Sequence, residues 1–205
     1  MTVQRTQRDL ARALLARRGM LRLSELTSQG ITATAVSRME KDGSVVRLRR
    51  GLYQLPDAAI DMHHSLAEAA KRMPKGVICL TSALAFHELT DQLPPRIWMA
   101  IGKKDWAPKD ARPSLRIVRF AETLLANGVE THLIEHVEVP IFNVPKTIAD
   151  CFRHRRSVGL TVAIEGLQQA LRQRKARPAD IAEHARRGGV WTILRPYLEA
   201  LTANG

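Results

Sequence analysis

The stretch LRLSELTSQGITATAVSRMEKDGSVVRLRRGLYQL, Leu21 to Leu55, changes its hydrophobic period from helical to alternating, and this constrains the fold more than any other part of the chain. Gly30 interrupts one helical pattern, and Thr32 or Thr34 offers the side-chain oxygen that a following helix N-terminus needs. Ala35, Val36 and Met39 then share one helical face, while Thr34, Ser37, Arg38 and Lys41 recur on the opposite face at i, i+3, i+4 and i+7. Asp42-Gly43 stops the helix, since glycine accepts the left-handed conformation that closes a C-terminus. Val46, Leu48 and Leu52 follow with Arg47, Arg49, Arg50 and Tyr53 interleaved around Gly51, a pattern of two short strands, 45–48 and 52–55, turning at Arg49-Arg50-Gly51.

Short helix, turn, second helix and basic hairpin is the order of a winged helix-turn-helix, with residues 34–41 as the recognition helix and the hairpin as the wing. A polar helix face beside a charge run also occurs on plain solvated surfaces. The RLRRG turn directly after the helix is what favours DNA. Upstream, residues 4–18 read as a first helix with Leu10, Leu14 and Leu15 apolar, 20–23 as a short strand, and 25–29 as a brief helix capped by Ser24.

The rest of the chain supports this reading through its charge. Net charge is +12, which points to a polyanionic partner. Residues 1–57 hold 11 Lys/Arg against 5 Asp/Glu, residues 58–152 hold 11 against 11, and residues 153–187 hold 9 against 3. Two basic ends thus flank a neutral body. No apolar run approaches a membrane span, and the N-terminus lacks a signal-peptide core, so a cytoplasmic protein without a membrane partner is expected. Cys79 and Cys151 lie in apolar segments and read as buried thiols.

A domain boundary is expected near Pro56–Asp61, giving a winged domain over 1–57 and an α+β domain over 58–205. In the second domain the pattern predicts a helix over 63–73, strands over 77–80, 97–101, 115–120, 129–134 and 137–142, and a helix over 82–89 capped by Thr81 or Ser82. Residues 103–113 read as a loop, and helices close the chain from Lys146 onward.

Enzymatic signatures are mostly missing: there is no Walker loop, no dinucleotide-binding glycine pattern and no zinc-type cysteine pairing. His132 and His136 straddle two expected strands, where four-residue spacing does not suit a metal. His87, Glu88 and Asp91 gather near a helix end, and Asp150 and His154 share a helix face; capping and ordinary hydrogen bonding explain both groups more simply than acid–base catalysis. No catalytic residue, metal or cofactor is expected.

Three stretches carry a resemblance: GITATAVSRMEKDGSVVRLRRGLYQL in the winged domain, LTSALAFHELTD after the first strand of the second domain, and VPIFNVPKTIADCFR before the helical end. Their order resembles the AbiEi family, the antitoxins of type IV toxin-antitoxin systems. Glu88 stands where family members often carry Gly. The resemblance implies a repressor of its own operon that binds inverted repeats in the promoter, and a C-terminal domain that counteracts a nucleotidyltransferase-like toxin. It places DNA contact on Thr34, Ser37, Arg38, Lys41, Arg47, Arg49 and Arg50, and Tyr53, interleaved with the arginines, joins the set.

The second basic cluster, Arg153, Arg155, Arg156, Arg172, Arg174, Lys175 and Arg177 with Arg186 and Arg187 beyond, either extends the DNA track or meets an acidic partner. Two other functions fit the same residues. One is a nucleic-acid enzyme with a degenerate nuclease-like second domain, and the other is a repressor sensing a ligand through that domain.

Overall fold

The structure, a computed structural model, describes residues 6–107 and 114–203. It is mixed α and β, with a winged helical region first, a larger sheet in the middle and helices at the end. Helix α1 (Gln7–Arg18) starts from a capping box in which the Thr6 hydroxyl accepts from the Asp9 amide and the Asp9 carboxylate accepts from Thr6. Strand β1 (Leu21–Arg22), helices α2 (Leu23–Ser28) and α3 (Ala33–Lys41), and strands β2 (Val46–Arg49) and β3 (Leu52–Gln54) follow, with a sheet order of β1-β3-β2. Leu15, Leu21, Leu26, Ile31, Val36, Met39 and Tyr53 fill the core between them.

Helix α2 begins two residues before its expected start, because the Arg22 amide donates to the Glu25 carboxylate at 2.7 Å and sets the first turn from Arg22. Thr32, not Thr34, caps α3 and accepts from the Ala35 amide at 3.2 Å. Residues 4 and 5 of the expected first helix lie outside the described residues.

After helix α4 (His64–Arg72) come strands β4 (Val77–Ile78), β5 (Ile97–Gly102), β6 (Leu115–Phe120), β7 (Val129–Ile134) and β8 (Val137–Phe142), in the sheet order β6-β5-β4-β8-β7. β4 runs antiparallel to β5 and parallel to β8, and β5 is parallel to β6. Helices α5 (Leu80–Phe86), α6 (Glu122–Leu125), α7 (Val144–Arg153), α8 (Arg155–Val158), α9 (Leu160–Arg172), α10 (Pro178–Arg187) and α11 (Trp191–Thr202) complete the chain.

Phe142, Phe152, Leu84, Ile148, Leu167 and Leu194 are buried together in the core that joins these helices to the sheet. Helix α5 begins at Leu80, ahead of both expected caps. The Ser82 hydroxyl accepts instead from the Trp98 amide at 2.9 Å, and the helix starts from Cys79 without a side-chain cap. Residues 108–113 of the expected loop lie outside the described residues.

The chain divides into two compact units. The first runs to Pro74 and takes in His132–Val139; the second holds Lys75–Thr131 and Pro140 onward. Residues 58–74, which the sequence assigns to the second domain, thus pack with the winged region. One ion pair, Lys71 with Glu25 of α2, holds this stretch to the winged region, and contacts with Glu135 hold it to the 132–139 segment. The Lys71 ammonium bonds both oxygens of the Glu25 carboxylate, at 2.8 and 3.2 Å, and His64 Nδ1 lies 2.8 Å from the Glu135 carboxylate, whose other oxygen accepts from the Asp61 amide at 2.6 Å. Burial pushes the Glu25 carboxyl up, but the Lys71 and Arg22 hydrogen bonds and the Lys71 and Arg18 charges bring it below its ordinary value.

Within the first unit, Gly19 has φ +68, and a Cβ there would come 1.9 Å from the Glu135 carbonyl oxygen. Only glycine allows the 132–139 segment to approach α1 so closely.

Candidate nucleic-acid interface

Helix α3 is held at both ends by α1. At its start, the Gln7 side-chain oxygen accepts from the Thr32 amide and hydroxyl at 3.1 and 3.0 Å. At its end, the Arg8 guanidinium lies 3.1 Å from the Asp42 carboxylate and donates to the Ser44 hydroxyl. Val36 and Met39 anchor the inner face in the core. The outer face, Thr34, Ser37, Arg38 and Lys41, is exposed throughout, as the helical spacing predicts. Neither Arg38 nor Lys41 bonds any described residue through its side chain.

The wing places three arginines on solvent-facing backbone beside this helix. Arg47, Arg49 and Arg50 are all exposed. Pairing between β2 and β3 skips a step between Arg47 and Arg49, so Leu48 is the extra residue of a bulge, a device that bends a strand and re-aims its side chains. The Arg47 Nε donates to the Arg49 carbonyl at 3.3 Å, and its guanidinium stands 3.7 Å from Glu40 of α3, so α3 and the wing are linked through a side chain of each. The Arg49 guanidinium donates to the Leu48 carbonyl at 2.9 Å.

Tyr53 departs from the set that the sequence assembles. It is only 6 % exposed and joins the core with Leu15, Leu26, Val36 and Met39 of the helices, while its backbone pairs with Leu21 of β1 on one side and Arg47 of β2 on the other. Spacing interleaves Tyr53 with the wing arginines, yet its side chain lies in the core with the helices rather than beside the arginines in solvent.

The second basic cluster is exposed over Arg153, Arg156, Arg172, Arg174, Lys175 and Arg177, with Arg155 half-buried. Much of it is bonded within the second unit. Lys175 binds Glu88 at 3.0 Å and the His87 carbonyl at 2.7 Å, Arg177 forks onto Asp180 at 2.8 and 3.0 Å, and the Arg155 guanidinium donates to the Phe152 carbonyl at 3.2 Å. Arg186 lies over the Trp191 ring at 4.5 Å, and Arg187 pairs with Glu183.

Sequence reasoning missed one charged group. Lys146 and Asp150 on α7 are 3 % and 1 % exposed, and they bond each other with the ammonium 4.9 and 4.6 Å from the Phe120 and Phe142 ring centres. Burial pushes the Asp150 carboxyl up and the Lys146 ammonium down, each opposed by the partner's charge. His154, which shares a helix face with Asp150, lies instead against the Phe120 ring at 5.4 Å.

The other candidate acid–base group also has bonded partners: His87 Nε2 lies 2.8 Å from the Phe142 carbonyl, and Glu88 binds Lys175. Cys79 and Cys151 are buried thiols whose pKa burial raises well above the ordinary value. Among the described residues no group of three or more His, Cys, Asp or Glu could hold a metal, and no helix is long and apolar enough to cross a membrane.

The fold is similar to that in the crystal structure of the RV2827C protein from Mycobacterium tuberculosis, with a TM-score of 0.57 and 15 % identity over 97 % of this chain and 81 % of that one. At that identity the likeness speaks to the fold. No curated protein sequence matches the chain. Residues 9–56, from within α1 to just past β3, match the family model described as "Transcriptional regulator, AbiEi antitoxin", the family that the sequence resembles.

Proposed function

We propose that the first unit binds double-stranded DNA, reading inverted repeats in its own promoter, and that the chain is the antitoxin and autorepressor of a type IV toxin-antitoxin operon in the cytoplasm. In this reading α3 enters the major groove with Thr34, Ser37, Arg38 and Lys41 towards the bases, and Arg47, Arg49 and Arg50 meet phosphates or the adjoining minor groove. The observation that carries it is the pinning of α3 at both ends with an exposed polar face next to an exposed basic wing. Phosphate contacts set affinity and position, while base contacts set sequence preference, and the two groups of residues divide along that line.

The second unit counteracts a nucleotidyltransferase-like toxin and performs no catalysis of its own. Asp150, its buried acid among the described residues, is bonded to Lys146, whose ammonium lies against the Phe120 and Phe142 rings. Gel shifts of the full chain on its own upstream region, against a random duplex of equal length, test the DNA reading. Preferential, salt-sensitive binding to the upstream duplex is expected, and equal binding to both would overturn promoter recognition. Co-expression with the neighbouring nucleotidyltransferase tests the antitoxin reading, and unrelieved growth arrest would remove it.

A further inference from the structure

The first unit contains a cavity of about 480 Å³, within the range of ~300–1,000 Å³ typical of small-molecule sites. Leu15 of α1 and Leu55 after β3 supply its apolar wall, with the largely exposed Ile60 beside them, and Asp57, Asp61 and Glu135 supply carboxylates. No Lys or Arg lines it, although the chain has 32 of them against 20 Asp and Glu. The lining thus opposes in sign the charge of the molecule around it.

A buried amide adds an independent sign of a ligand. Gln54, on the central strand of the winged sheet, is 8 % exposed and lines the cavity. Strand alternation turns it to the face opposite Tyr53, which packs in the core. Its carboxamide bonds no described residue, and its polar atoms are not among the fully enclosed ones, so the amide is open to whatever fills the cavity.

The acids divide by bonding. Both Glu135 oxygens are occupied, by the Asp61 amide and His64, and one Asp61 oxygen accepts from the His63 amide at 2.7 Å. Asp57 bonds no described residue through its carboxylate, and the second Asp61 oxygen is open. The acceptors left over are therefore the Gln54 carbonyl, Asp57 and Asp61, above an apolar wall.

From these observations we infer that the cavity binds a small organic cation, an ammonium or guanidinium head on an apolar stem. The head donates to Asp57, Asp61 and the Gln54 carbonyl, and the stem lies against Leu15, Leu55 and Ile60. DNA phosphate is excluded from the cavity by the same carboxylates. The inference stands apart from the DNA reading, because it is measured on the full chain with no nucleic acid present.

The test is isothermal titration and thermal shift with agmatine, spermidine and phenethylammonium, using 1,4-butanediol and glutarate as neutral and anionic controls. At least one cation is expected to bind saturably, one per chain, with neither control binding. The doubly substituted Asp57→Asn, Asp61→Asn chain should weaken that binding about tenfold or more, as should Gln54→Leu and the cavity-filling Ala58→Phe. Asp57 and Asp61 are exposed, so their variant decides the matter should either of the other two fail to fold. The inference is overturned if no cation binds saturably, if glutarate or butanediol binds equally, or if the Asn variant binds with unchanged affinity.

Discussion

Residues 1–57 and residues 153–187 carry the same net charge of +6 and put it to different use. In the later segment Lys175, Arg177 and Arg187 are bonded to Glu88, Asp180 and Glu183, and Arg186 is stacked on Trp191. In the winged segment the side chains of Arg38, Lys41 and Arg50 bond no described residue, while Arg8 and Arg47 pair with Asp42 and Glu40. A cation already bonded to a carboxylate must break that bond before it can release a counterion from a phosphate, so equal charge does not imply equal DNA affinity. Arg153, Arg156, Arg172 and Arg174 likewise bond no described residue through their side chains, so the contrast holds cation by cation, and in the winged segment the open ones lie on α3 and the wing beside it.

The comparison is tested first at its extreme, where a cation has a partner and no water. Asp150→Ala leaves Lys146 buried and unpaired and should cost about 3–5 kcal/mol in urea unfolding. Asp150 has a raised pKa, so on its own it contributes stability below its unfolded value that is lost as pH rises through the folded one. Lys146 has a lowered pKa and contributes stability above its unfolded value that is lost as pH falls. Near neutral pH both effects oppose the ionised pair. Lys146→Met with Asp150→Leu should therefore be neutral or stabilising by up to about 4 kcal/mol. A double variant as unstable as Asp150→Ala would show that the pair itself supplies the stability.

Replacing Arg47, Arg49 and Arg50 with alanine should lower the slope of log K against log salt by about 2.7, at about 0.9 for each lost phosphate contact. An unchanged slope would remove the wing from the interface. Arg38→Ala should cost about 1–3 kcal/mol of discrimination between operator and random duplex. A wild-type ratio with weakened binding would make Arg38 a phosphate contact. The smallest effect is expected from the C-terminal segment: alanine at Arg153, Arg156, Arg172 and Arg174 together should leave the salt slope where it is. A fall of several units would extend the DNA track across the second unit and end the contrast.

Helix α3 was legible in the sequence because it obeys one period without interruption. Val129–Ile134 and Val137–Phe142 were legible because β-branched and aromatic residues fill them on either side of Glu135 and His136, which take positive φ. Tyr53 was not legible, since the arginines interleaved with it suggest an outward face, whereas its ring joins Leu15, Leu26, Val36 and Met39, which are distant in sequence. Lys146 was ambiguous by spacing. Asp150 stands four residues from both Lys146 and His154, and the rings of Phe120 and Phe142, distant in sequence, surround the lysine end. The cavity beside Gln54 was out of reach for a similar reason, as its wall combines α1, the stretch after the wing and the turn at Glu135.

That last arrangement bears on how the protein is made. The winged fold is translated early, yet Glu135, whose carbonyl only a glycine at position 19 can accommodate, follows Pro74 by about 60 residues. At ~5–20 residues per second a ribosome takes roughly 3–12 s to cover that gap. During that interval the nascent chain has helix α3 and the wing but lacks the segment that bonds Asp61 and His64. The first unit is therefore finished from its far end, and a prematurely terminated chain would carry α3 and the wing on an incomplete support.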